Sequence, residues 1–118
     1  MSYQTERQRF IWKTAPELGL NPIEAKIVLR KAQTLHSWAV HECNGTKQRD
    51  EMSGKVYRYS DRTGERVSRT VDLETRALSA LRFLAAQHQL GVKYQGAPRG
   101  WVVSLVKDGR EYGVPSKG

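Results

Sequence analysis

The stretch LNPIEAKIVLRKAQTLHSWAVHECNG, Leu20 to Gly45, spells one long helix with both ends marked. Asn21 is an N-cap, whose side-chain oxygen accepts a free N–H of the first turn. Pro22 falls at the first helical position, where its missing N–H costs nothing, and Glu24 completes a capping box. Asn44-Gly45 tolerates the left-handed backbone on which helices end. At 3.6 residues per turn, Ala25, Val28, Ala32, Leu35, Ala39 and Cys43 form one face. Ile27 and Trp38 flank it on one side, and Leu29, His36 and Val40 on the other. Lys26, Arg30, Gln33, Ser37 and His41 make a narrow polar back. So wide an apolar arc predicts a central helix packed on more than one side.

Upstream, residues 1–20 form an N-terminal segment, either a short helix or an arm that docks through Phe10, Ile11 and Trp12. Pro16 and Gly19 mark the turn into the main helix. Downstream, residues 21–118 are expected to make a single α+β domain. Thr46 to Gly54 is polar and without period, so an exposed loop is expected. Lys55 to Ser60 alternates, with Val56, Arg58 and Ser60 on one face and Tyr57 and Tyr59 on the other. Asp61-Arg62-Thr63-Gly64 is a hairpin turn, and Glu65 to Val71 returns as a second strand. Asp72 is placed as the N-cap of a second helix, which runs from Leu73 to about Gln89. Its stripe comprises Ala77, Leu78, Leu81, Leu84 and Ala85, widened by Phe83, with Gly91 as the stop. The remainder is β-like: Val92–Gln95, Trp101–Val106 and Arg110–Val114, the last two joined at Asp108-Gly109, the strongest hairpin signal in the chain. The expected fold is two main helices packed on an antiparallel sheet of four or five strands.

Composition bounds the function. Twenty Lys and Arg against twelve Asp and Glu give a net charge of +8, which favours an anionic partner. No run of about 18 apolar residues is present, so no membrane span is expected. Met1 to Arg7 carries no apolar segment of signal-peptide type, and the single Cys43 makes no internal disulfide. A cytoplasmic location follows as the expectation.

Metal and catalytic chemistry find little footing. His36 and His41 are five apart on the helix, whereas a shared metal wants a spacing of four on one face. His36 therefore reads as a partly buried histidine with a backbone partner, and Cys43 as a small buried apolar residue. The acids are scattered, and no Gly-x-Ser-x-Gly, phosphate loop or dinucleotide fingerprint occurs. No cofactor and no catalytic residue are assigned.

The segment Lys47 to Arg69 is different. Lys47, Arg49, Lys55, Arg58, Arg62, Arg66 and Arg69 are interleaved with Tyr57 and Tyr59, a pattern suited to phosphates and exposed bases. The competing reading is a charged sheet edge that guards against aggregation, and Asp50, Glu51, Asp61 and Glu65 dilute the patch. The candidate nucleic-acid-binding set is Lys55, Arg58, Tyr59, Arg62, Arg66 and Arg69. Arg99 joins it from the loop Gln95-Gly-Ala-Pro-Arg-Gly100, which presents an anion-binding arginine or simply links two strands.

Leu35-His36-Ser37-Trp38-Ala39, Glu42-Cys43-Asn44-Gly45, Arg49-Asp50, Ser53-Gly54-Lys55-Val56-Tyr57 and Gly96-Ala97-Pro98-Arg99-Gly100 together resemble a family of small uncharacterised phage and prophage proteins. The likeness covers roughly residues 27 to 106, and Ala97 stands where the family pattern more often has Asp. The resemblance implies a mobile-element origin and carries over no activity or catalytic residue. A phage origin brings forward a non-enzymatic binder of nucleic acid or of a host nucleoprotein complex. The alternative is a protein-binding inhibitor of a host defence complex, anti-CRISPR-like; a small nuclease ranks below both.

Overall fold

The computed structural model describes residues 5–42, 45–95 and 102–115, apart from the side chains of 40–42 and of 68–69. Its elements are α1 (Glu6–Arg9), a π-helical turn (Phe10–Thr14), α2 (Ala15–Glu17), α3 (Pro22–Glu42), β1 (Gly45–Arg49), β2 (Val56–Ser60), β3 (Arg66–Thr70), α4 (Val71–Gln87), β4 (Gly91–Tyr94), β5 (Val103–Lys107) and β6 (Arg110–Val114). The fold is mixed α and β, with three helical segments and two three-stranded antiparallel meanders, β1-β2-β3 and β4-β5-β6. No described helix is long and apolar enough to cross a membrane.

The long helix starts as its sequence dictates. Asn21 Oδ1 accepts the Glu24 N–H at 2.8 Å, and Glu24 Oε1 accepts the Asn21 N–H at 3.1 Å. Ala25, Val28, Leu29, Ala32, Leu35, Trp38 and Ala39 are buried, whereas Ile23 and Ile27 are exposed. The N-terminal segment belongs to the same core: Phe10, Ile11, Ala15 and Leu18 are buried there. Trp12 departs from the expected docking trio, being 63% exposed on the opposite side of its helical turn.

Two helices end in the same way. The Leu20 N–H reaches the Ala15 carbonyl and the Gly19 N–H that of Pro16. Likewise the Leu90 N–H reaches the Ala85 carbonyl and the Gln89 N–H that of Ala86. Each is a Schellman end with a residue at positive φ, Gly19 at 82° and Gln89 at 56°, and a buried leucine after it. Gln89, rather than Gly91, is therefore the stop of α4, and Gly91 opens β4. The start of α4 also moves: Thr70 is the N-cap, without a side-chain hydrogen bond, and Asp72 lies inside the first turn. Of the expected stripe, Ala77, Leu81 and Ala85 are buried and Leu78 and Leu84 pack against the core, but Phe83 is 70% exposed.

The β4-β5-β6 meander closes the core. Its register aligns Val92 with Leu105 and Tyr112, and Tyr94 with Val103 and Val114, so one face is wholly apolar. Asp108 and Gly109, both at positive φ, form the primed turn that β5 and β6 require.

The single sheet of four or five strands is replaced by two sheets, since β2 and β3 pair with neither β4, β5 nor β6, and Thr46 to Arg49, expected to be loop, add a strand to the first of them. That strand, β1, pairs along its whole length with β2, from Gly45 opposite Ser60 to Arg49 opposite Val56. No apolar alternation announces it, because no core lies against it: Thr46 to Arg49 are all exposed. The pairing comes from the backbone and from the turn that follows. Further along, β3 passes directly into α4, which separates the two meanders in the chain.

Candidate nucleic-acid interface

The β1-β2-β3 meander is built from one loop used twice. In the first, the Asp50 N–H bonds the Lys55 carbonyl and the Gly54 N–H the Asp50 carbonyl. In the second, the Ser60 N–H bonds the Glu65 carbonyl and the Gly64 N–H the Ser60 carbonyl. Gly54 and Gly64 sit at φ of 72° and 73°, where a side chain would be strained. The first loop residue braces each turn: Asp50 accepts from Met52 N–H and Ser53 hydroxyl, and Ser60 accepts from Thr63 N–H. Ser53-Gly54 and Thr63-Gly64, ten residues apart, are the sequence signal for the extra strand.

Alternation then sorts the side chains onto two faces. The inner face carries Lys47 and Arg58, directly opposite each other across β1 and β2. Arg58 reaches α4, where its Nη2 donates to both Glu74 oxygens at 3.1 and 3.2 Å, and its Nη1 donates to the Gly45 carbonyl at 3.2 Å. Its guanidinium carbon lies 6.0 Å from the Trp38 ring centroid, and Lys47 stands 4.0 Å from Glu74. Arg58 is thus consumed by the fold, and Glu74, buried on α4, is its counter-ion. A Cβ on Gly45 would land on the Arg58 side chain, so this position is kept bare by close approach. Tyr94 lies in the field of the same pair. Burial, with the Glu74 charge, pushes its phenol up to about 12, and its hydroxyl donates to the Leu35 carbonyl.

The outer face turns away from the helices. Tyr57 and Tyr59 lie on it, joined through the β1 register by Gln48 and Thr46 and through β3 by Arg66, opposite Tyr59. A register shift between β2 and β3 brings the Arg66 guanidinium carbon to 4.5 Å from the Tyr57 ring centroid. This is a cation held over an aromatic face. Thr46 donates to Asp61 at 2.6 Å, which ties the edge of this face to the second loop. Lys55, just before β2, and Arg62, in the β2–β3 loop, are exposed at its two ends.

Of the candidate residues, then, Tyr59, Arg66, Lys55 and Arg62 are brought to one face or its ends, and Arg58 is drawn to the other. Arg69 lies on β3, with its side chain outside the described residues, and Arg99 lies outside them altogether. Gln48 and Thr46, whose polarity alone predicts a loop, enter the face through β1.

The histidines do not converge. His88 Nε2 donates to Glu24 Oε2 at 2.6 Å, so that α4 ends against the start of α3. That bond, with the Asn21 N–H, holds the Glu24 carboxyl below its ordinary value. His36 is half-buried with Nδ1 unpartnered among the described residues, in place of the expected backbone bond. The His41 side chain and Cys43 lie outside the described set. Among the described residues no group of three or more His, Cys, Asp or Glu is placed to hold a metal ion. Comparison with protein-family models, curated proteins and solved structures finds no match.

Proposed function

We propose that the protein is a non-enzymatic nucleic-acid binder and that its contact surface is the outer face of the β1-β2-β3 meander. The observation that carries this reading is the Arg66–Tyr57 pair, beside Tyr59, on a sheet face opposite the helices. Lys55 and Arg62 extend the positive charge to both ends, and the chain as a whole carries +8. Aromatic rings with guanidinium groups on an open sheet supply stacking and phosphate attraction together. The partner is free nucleic acid or the nucleic-acid portion of a host nucleoprotein complex, in keeping with the resemblance to phage and prophage proteins. Exposed Trp12 and Phe83 sit on other helical segments than the exposed pair Ile23 and Ile27, one turn apart on α3, and scattered exposed apolar side chains are ordinary on protein surfaces. They do not favour docking on a protein as the first reading.

The test is binding of a mixed-sequence oligonucleotide across a salt series. Affinity should fall steeply with salt, and the combined substitution Lys55→Ala, Arg62→Ala, Arg66→Ala should lower it. The salt slope should flatten by about 0.7–0.9 for each phosphate that the variant no longer neutralises. Absence of binding at low salt would sink the reading.

A further inference from the structure

The geometry of the outer face narrows the ligand, on the footing that this face binds nucleic acid at all. Tyr57 and Tyr59 are two positions apart on β2, so their rings stand on the same side, about 6.6 Å apart along the strand. Bases stacked in one strand of a duplex repeat every ~3.4 Å. Two rings side by side at nearly twice that spacing do not enter one continuous stack; each offers its face to a separate base. A duplex hides its base faces between neighbours and shows only edges in its grooves. Ring faces therefore meet bases that are unpaired and splayed.

The Tyr57 ring already shows that its face accepts a planar group, because the Arg66 guanidinium occupies it at 4.5 Å. A base either takes the place of that guanidinium or lies against its other side. Across β1, Thr46 and Gln48 stand opposite Tyr59 and Tyr57. Thr46 is small and turned to Asp61, while the exposed Gln48 amide both donates and accepts at a base edge. Lys55 continues the alternation of Tyr57 and Tyr59 at one end, and Arg62 stands in the loop at the other. The order along β2 is cation, ring, ring, cation.

We infer that this face binds single-stranded nucleic acid, with one base on Tyr59, a second against the Arg66–Tyr57 pair, and flanking phosphates at Lys55 and Arg62. Stacking and phosphate contacts make no use of the sugar hydroxyl, so single-stranded DNA and RNA are taken alike.

The experiment measures affinity of the intact protein for oligothymidylate, oligouridylate and a DNA duplex of the same length at one salt concentration. The single strands should bind at least about tenfold tighter than the duplex and within about threefold of each other. Tyr59→Leu should weaken single-strand binding about five- to tenfold with duplex binding unchanged, while Tyr59→Phe, which keeps the ring, binds as wild type. Should the leucine variant fail to fold, the wild-type comparison decides alone. Equal affinity for duplex and single strand, equal losses for both in Tyr59→Leu, or a gap of about tenfold between the two sugars would overturn the inference and leave nucleic-acid binding standing. No binding to any of the three would overturn both.

Discussion

Arg58 on β2 and Glu74 on α4 meet as an ion pair through two hydrogen bonds of 3.1 and 3.2 Å, with both side chains largely buried. This bond fastens the meander to the helices. Removing one partner leaves a poorly solvated charge, so Glu74→Ala should cost about 3 kcal/mol in urea denaturation. The double change Arg58→Met, Glu74→Leu should recover most of that loss, since apolar residues of similar size often replace buried pairs at little cost. Retention of full stability in Glu74→Ala would show that the pair does not anchor the sheet.

Gly45→Ala tests the same anchor from the other side. The added methyl would strike the Arg58 side chain and approach the Tyr59 carbonyl oxygen to 3.1 Å. A cost of about 1–3 kcal/mol is expected. A double-mutant cycle with Arg58→Ala should give a coupling of about 1 kcal/mol, because one substitution clears the space the other needs.

At the start of α3, acid should loosen the clasp between the helices. The Glu24 carboxyl is held below its ordinary value by the His88 hydrogen bond first and the Asn21 N–H second. A depressed carboxyl contributes stability that is complete above its unfolded value, near roughly 4.3, and is lost as pH falls through the folded value. Wild type should therefore lose stability below about pH 4.3 more steeply than Glu24→Gln, read from melting curves at stepped pH. Asn21→Ala should cost about 1 kcal/mol at neutral pH through loss of the cap.

Gln89 holds a left-handed conformation that suits glycine, with φ of 56°. Gln89→Gly should stabilise the protein by about 0.5–1 kcal/mol and raise Tm by roughly 3 °C. A lower Tm would mean that the Gln89 side chain makes a contact worth more than its backbone strain.

The N-terminal segment offers a paired test. Phe10→Ala should cost about 3–5 kcal/mol, since Phe10 is 2% exposed within the core. Trp12→Ala, at a 63% exposed position, should stay within about 0.5 kcal/mol of wild type.

What is legible in the sequence follows from where the information resides. The start of α3 and the β5–β6 turn are readable because Asn21, Pro22, Glu24 and Asp108-Gly109 act through local backbone chemistry. The buried stripes of α3 and α4 are readable at their centres, where apolar residues repeat at helical spacing. Their margins are not: Phe83 and Ile27 extend the stripes in sequence yet point past the elements packed there, and only tertiary placement decides that. Strand β1 leaves no trace in the hydropathy because it has no core to alternate against. The face carrying Tyr57 and Tyr59 is visible from alternation within β2, but the inward course of Arg58 depends on Glu74, sixteen positions away on another element.

None of the described residues between 45 and 70 is fully buried, and none belongs to the main apolar cluster. The meander should consequently open as a cooperative unit of its own, held by its ladder, its two braced loops and the Arg58 anchor. Its amides should exchange with solvent through sub-global openings that leave α3 and β5 protected. A ligand spanning β1 to β3 would close those openings, so that part of the binding energy goes into ordering the sheet and registers first as slowed hydrogen exchange at Tyr57 and Tyr59.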